Sequence, residues 1–196
     1  MIYLDYSANT PVSPRVLQSF TDAAARYVGN PNSNHPAGLA AKAAIDEATA
    51  RIAAALGVQP DEIIYTSGAS ESNNTAIRGI LHASRHIGRH VLTTPLEHPS
   101  VSGCLTAAME RGYEIDMLSV GHDGRIDPEE VRSLLRPDTV LVAMTAVDSE
   151  LGTVQPVREV ARALRGVANC CLHVDATQGI GKLPFSFDEV DTVSFA

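Results

Sequence analysis

From about residue 63 onward the chain alternates short apolar runs of strand length with longer stretches of helical spacing. That alternation limits the fold more than any other feature. Ile63-Ile64-Tyr65 reads as the end of a buried strand and His90 to Thr94 as a second. Glu114 to Leu118, Thr139 to Thr145, Cys171 to Val174 and Asp191 to Phe195 follow as further strands. Between them the spacing predicts helices from Glu71 through Leu81, over Ser100 to Arg111, Asp127 to Leu135 and Val157 to Leu164. Upstream, Pro14 opens a helix to about Tyr27, residues 29–36 read as a loop, and Ala40 to Leu56 forms an amphipathic helix closed by Gly57. Strands that alternate with helices make a parallel sheet covered on both faces. The expected fold class is α/β, a three-layer α/β/α arrangement around a mainly parallel sheet.

In such sheets ligands gather at the carboxyl ends of the strands, so the residues just after each strand matter most. Ser67-Gly68-Ala69-Ser70 follows the first, Glu97-His98-Pro99-Ser100 the second, Asp148-Ser149 the fourth and Asp175-Ala176-Thr177-Gln178 the fifth. A small-residue turn running into a helix is a ready site for an oxyanion, because the first-turn N–H groups lack intrahelical partners. Taken alone, the same residues read more simply as a plain helix start with Ser70 as N-cap. Asp175 ends a buried strand, where a carboxylate needs a partner; a protonated ring nitrogen or the start of a following helix would each supply one. His98 beside a proline can stack on a flat ring or move a proton, or can be an ordinary loop histidine. Phosphate anchor, stacking imidazole and carboxylate for a ring nitrogen together are what pyridoxal phosphate asks of a protein.

A chain of 196 residues with net charge −8 and a pI near 5.3 argues against nucleic acid or an anionic membrane surface as its main partner. No apolar run reaches the length of a membrane span. The start, Met1-Ile2-Tyr3-Leu4-Asp5, lacks the basic-then-apolar pattern of a secretory leader. Three cysteines, Cys104, Cys170 and Cys171, make neither a disulfide framework nor a zinc motif, so a reducing cytoplasm is expected and no metal site.

Six ordered segments resemble the amino-terminal half of the cysteine desulfurases, in the class V aminotransferase branch of the pyridoxal phosphate enzymes. They are Tyr3 to Pro11, Gly29 to His35, Thr66 to Asn74, Glu97 to Val101, Glu150 to Pro156 and His173 to Gln178. The resemblance implies the aspartate aminotransferase-like large domain, with residues 1–15 as an N-terminal segment and 16–196 as an incomplete cofactor-binding domain. It implies that Ala69 and Ser70 hold the cofactor phosphate and that His98 stacks on the ring and serves in acid–base catalysis. Asp175 would pair with the ring nitrogen, and Gln178 would bond the ring oxygen. The activity implied is removal of sulfur from L-cysteine to give L-alanine and a persulfide, by a homodimer that feeds a sulfur acceptor such as an iron–sulfur scaffold protein. A related enzyme such as a selenocysteine lyase, or a non-catalytic remnant binding cofactor or partner, is the alternative.

Two departures stand out. The family places asparagine where Asp148-Ser149 stands; Ser149 could still bond the ring, while Asp148 would repel a phenolate. The family's cofactor-bearing lysine and persulfide cysteine also lie beyond Ala196, so the chain alone is expected to be inactive. Lys42 and Lys182 match no such position. Gly179-Ile180-Gly181-Lys182-Leu183 only hints at a nucleotide loop, and no dinucleotide fingerprint follows a strand.

Overall fold

The computed structural model describes residues 2–184 and 186–196. By its internal contacts the chain forms two compact units, Met1–Ile64 and Tyr65–Ala196. The 15/16 division suggested by the sequence lies within the first helix of the first unit.

In that first unit, helix α1 (Pro14–Arg26) starts on a proline and buries none of its residues. Helix α2 begins at Pro36 rather than Ala40 and runs to Leu56. Its N-cap is His35, whose Nδ1 accepts the Gly38 N–H at 3.1 Å. Gly57 ends the helix in the left-handed conformation, φ 74°, as its sequence position suggested. The expected strand ending at Tyr65 does not form. Residues 63–66 carry no sheet pairing, and Ile64 and Tyr65 are 77% and 59% exposed. An apolar run acquires strand structure only beside a neighbour that takes its N–H and C=O groups, and among the described residues no strand lies there.

The second unit holds the sheet. Its strands are β1 (His90–Thr93), β2 (Glu114–Met117), β3 (Thr139–Thr145), β4 (Cys171–Asp175) and β5 (Thr192–Ser194), in the spatial order β2-β1-β3-β4-β5 with every pairing parallel. Helix α3 (Ala69–Ser84) precedes the sheet, and α4 (Pro99–Met109), α5 (Pro128–Leu134) and α6 (Val157–Ala163) connect its strands. All seven residues of β3 are buried, as a central strand with helices on both sides requires. Successive side chains of a strand point to opposite faces, and the core divides accordingly. Leu141 and Ala143 pack with Ile77, Leu81 and Val101 of α3 and α4. Val142 and Met144 pack with Val131 and Val160 of α5 and α6. The layers are thus helix, sheet, helix, as the alternation of elements predicted. Each large side chain so buried contributes on the order of 1.5–3 kcal/mol.

The strand order also sets where a ligand can sit. From β1 the chain leaves through α4 toward β2, and from β3 it leaves through α6 toward β4 on the other side. The two exits diverge, which opens a crevice at the carboxyl ends of β1 and β3.

Candidate functional site

Four of the expected site segments meet along that carboxyl rim of the second unit, and one buried amide joins three of them. Asn73 lies on the inward stripe of α3 with Ile77, Leu81 and Ser84 and is fully buried. Its Nδ2 donates to Asp175 Oδ2 at 2.7 Å and to Ser100 Oγ at 2.9 Å. Its Oδ1 lies 2.9 Å from His173 Nε2. An amide oxygen only accepts, so the His173 hydrogen sits on Nε2, and Nδ1 accepts from the Thr192 hydroxyl at 2.9 Å. Burial pushes the His173 pKa down to about 4, against the pull of Asp175, so this imidazole is neutral around pH 7.

The same logic passes to His98. The Ser100 backbone N–H donates to His98 Nδ1 at 3.1 Å, which makes that nitrogen an acceptor. The Ser100 hydroxyl, 2.8 Å away, therefore donates to it as well, while accepting from Asn73. His98 is the N-cap of α4, and its ring is exposed with the hydrogen on Nε2. Asn73 and Ser100 thus connect the exposed imidazole to the buried carboxylate.

Asp175 ends β4 with only 6% of its surface exposed. Besides the Asn73 amide it accepts the Thr177 N–H at 3.0 Å on Oδ1. The local cap expected of it is therefore present, but a turn follows rather than a helix. Neither donor carries charge, and Asp175 forms no ion pair among the described residues. A buried carboxylate held this way remains ready for a cation.

The α3 start differs in detail from expectation. Gly68, not Ser70, is the N-cap, at φ 154° and ψ 177°, a conformation essentially confined to glycine. The first hydrogen bond of the helix runs from Ser72 N–H to Gly68 C=O at 3.1 Å. The N–H groups of Ala69, Ser70 and Glu71 precede it, and Ser70 is exposed. Glu71 turns back to accept the Ser67 N–H at 2.6 Å, and that bond holds its carboxyl below the usual range. Gln178 is half-buried, and its Oε1 accepts from Lys182 Nζ at 2.6 Å. Ser149 is exposed and has no hydrogen bond among the described residues. Asp148 is buried, and its Oδ2 caps its own turn by accepting the Glu150 and Leu151 N–H groups.

Asn73, Ser100, His173 and Glu97 lie within segments that the sequence pointed to, but the sequence assigned them no role of their own. For Asn73 a signal existed, a polar residue on an otherwise apolar helical stripe. Glu97 sits at the divergent exits of β1 and β3. Its Oε1 accepts from the Thr94 hydroxyl at 2.6 Å and from the Thr145 N–H at 2.8 Å, while its Oε2 is buried without a partner among the described residues. Burial pushes its pKa up to about 8, and the charges of Asp175 and Asp148 add to the rise.

Comparison with known proteins gives a consistent picture. The aminotransferase class V family model matches residues 2–196. A NifS/IcsS protein homolog of Lactobacillus delbrueckii is 39% identical over 182 residues, covering 93% of this chain and 47% of the relative. The cysteine desulfurase IscS of Dictyoglomus turgidum is 36% identical over 197 residues, covering all of this chain and 50% of the relative. Among solved structures, a NifS-like protein superposes with a TM-score of 0.95 at 35% identity, over 100% of this chain and 54% of its own. One described as SspA in complex with cysteine does so with a TM-score of 0.93 at 34% identity, over 99% and 56%. The chain spans about half the length of these relatives.

Proposed function

The chain belongs to the aminotransferase class V family, and on that footing we propose that it forms the cofactor-binding half of a pyridoxal-phosphate-dependent cysteine desulfurase. The observation that carries this reading is the state of Asp175: a buried carboxylate at the end of β4, fixed by two neutral donors and joined to no cation among the described residues. The side chains present fit the group. Asp175 would take the ring N–H, the Ala69 and Ser70 N–H groups with the Ser70 hydroxyl would take the phosphate, and His98 would lie against the ring. Gln178 and Ser149 would serve its oxygen substituent. When bound, pyridoxal phosphate supplies an electron sink for carbanion chemistry at an amino acid's α-carbon.

The work left to this chain is orientation and proton control. Asp175 favours the protonated ring nitrogen, which keeps the sink effective. Asn73 fixes the Asp175 carboxylate and orients the Ser100 hydroxyl toward His98, while the Ser100 N–H fixes which nitrogen of His98 bears hydrogen. The exposed Nε2 of His98 is the atom through which protons would move: as the imidazolium, with Nδ1 released from the Ser100 N–H, the ring would give the Nε2 proton, and as the neutral base it would take one back in a later step. The substrate proposed is L-cysteine, with L-alanine and a protein persulfide as products, in a cytoplasmic homodimer that hands sulfur to an acceptor protein such as an iron–sulfur scaffold. Relatives named cysteine desulfurase IscS support that class.

The test is pyridoxal phosphate binding by absorbance, with Asp175→Asn beside the unaltered chain. The substitution keeps the shape and removes the charge, and is expected to weaken binding by about tenfold or more, a loss of about 1.4 kcal/mol. Equal affinity would remove Asp175 from the site. Sulfide release from L-cysteine is then measured on the full-length protein. Tight binding there without release would favour a non-catalytic cofactor-binding protein.

A further inference from the structure

We propose that Glu97 is a positioning residue that acts as a neutral carboxylic acid, clasping the His98 loop to the end of β3 without adding charge beside Asp175. Its functional meaning rests on reading Asp175 and His98 as cofactor contacts; the clasp and its protonation do not.

The geometry sets the location of the proton. Oε1 already accepts two hydrogen bonds, from the Thr94 hydroxyl at the β1 end and from the backbone N–H of Thr145, the last residue of β3. A hydrogen of the acid therefore belongs on Oε2, which is buried and has no partner among the described residues. An ionised oxygen there would be a desolvated charge with no donor, a costly arrangement. Two further carboxylates, Asp175 and Asp148, act on it electrostatically, and both disfavour a negative charge on Glu97. Its hydrogen-bond partners among the described residues, Thr94 and Thr145, are neutral, and the adjoining His98 is turned toward Ser100.

The clasp bears on the histidine because the spacing is short. Residues 94–98 link β1 to α4, and Glu97 and His98 are joined by one peptide, so their Cα atoms lie about 3.8 Å apart. Holding Glu97 to both Thr94 and Thr145 spans the mouth of the crevice between β1 and β3, and it fixes where α4 begins. Ionisation of Glu97 would set three carboxylates against one another at this point and loosen the loop. The buried acid is thus a pH-sensitive fastening, closed while protonated.

Glutamine is the discriminating substitute. It keeps an oxygen for the Thr94 and Thr145 donors, cannot ionise, and is nearly the same size. In the unaltered chain labelled with 13C at glutamate carboxyls, the resonance missing from Glu97→Gln is expected to titrate near pH 8, well above the other glutamates. A midpoint in the ordinary range near 4.5 would overturn the proposal. Hydrogen exchange of the Thr145 amide, corrected for its intrinsic pH dependence, is expected to accelerate about tenfold or more above pH 8 in the unaltered chain and to stay flat in Glu97→Gln. Parallel behaviour in the two proteins would also overturn it. Glu97→Ala is expected to lose the protection that Glu97→Gln retains; if alanine protects as well, the clasp is not the restraint. None of these readouts needs cofactor, so a failure of pyridoxal phosphate to bind would count against the proposed function and leave the Glu97 result intact.

Discussion

The amide of Asn73 donates to the carboxylate of Asp175 at 2.7 Å across 102 residues of sequence, and both groups are buried. This bond locks the N-terminal turn of α3 to the carboxyl end of β4. It sits where, in the proposed function, the helix start that would take the phosphate faces the carboxylate that would take the ring nitrogen. Asn73→Ala removes a donor to Asp175 and the acceptor of His173, leaving two buried polar groups unsatisfied. Each such loss costs about 1–3 kcal/mol. Chemical denaturation is expected to show a loss of that size at least, with the denaturant slope unchanged. A variant as stable as the unaltered chain would mean that water or rearrangement replaces the amide.

His173 makes stability fall in acid. Its folded pKa is near 4 and the ordinary value is 6.5, so the unfolded chain takes up a proton first as pH drops. The stability linked to its neutral form is fully present above about pH 6.5 and is lost as pH falls toward 4, up to about 3 kcal/mol for the whole shift. Glu97 has the opposite sign. Its folded pKa lies above its ordinary value, so its neutral form favours folding below about 4.5 and that contribution is lost as pH rises toward 8. Thermal unfolding from pH 4 to 9 is expected to show both limbs. His173→Gln should flatten the acid limb alone, and a steep acid limb persisting in that variant would assign it to other groups.

For His98 the expected loss is kinetic. Its ring is exposed and among the described residues accepts only from Ser100, so His98→Ala should change stability by about 1 kcal/mol or less. In the full-length protein, removal of a proton donor should lower the chemical step on the order of a hundredfold or more. Ser100→Ala is a milder version, because the backbone N–H still reaches Nδ1 while the link to Asn73 is cut. Single-turnover rates with L-cysteine should therefore rank unaltered, Ser100→Ala, His98→Ala. A His98→Ala protein that loses only melting temperature would make the histidine a cap of α4 and nothing more.

How far the sequence revealed this site depends on the range of the interactions. Helices α1 and α4 to α6 and strands β1 to β5 lie within a few residues of their sequence positions, because period and punctuation are local properties. The order of residues after each strand was legible for the same reason, and it named Ser70, His98 and Asp175 before their surroundings were known. Asn73 was hidden, since no local rule connects it to a carboxylate in β4. Glu97 was named as part of the segment after its strand, but its role was hidden by its type: a glutamate beside a histidine reads as a surface residue until burial shows otherwise. The run Ile63-Ile64-Tyr65 misled in the other direction, because apolar composition suggests a strand while a strand needs a partner.

Gly68 offers a way to separate the two ends of the proposed ligand site. A Cβ built there would meet nothing within 4 Å, so space is not what requires glycine. The backbone is: at φ 154° and ψ 177° an alanine is strained by about 1–3 kcal/mol. Gly68→Ala should relieve that strain by rotating the turn, which redirects the Ala69 and Ser70 N–H groups while leaving Asp175 on its own strand. Affinity for inorganic phosphate and for pyridoxal phosphate should then fall together, about tenfold for each, since the phosphate is the group both share. Asp175→Asn should weaken pyridoxal phosphate and leave inorganic phosphate unchanged. Calorimetric titration of both ligands against both variants reads out all four values. If Gly68→Ala weakened pyridoxal phosphate but not inorganic phosphate, the start of α3 would not be the phosphate anchor.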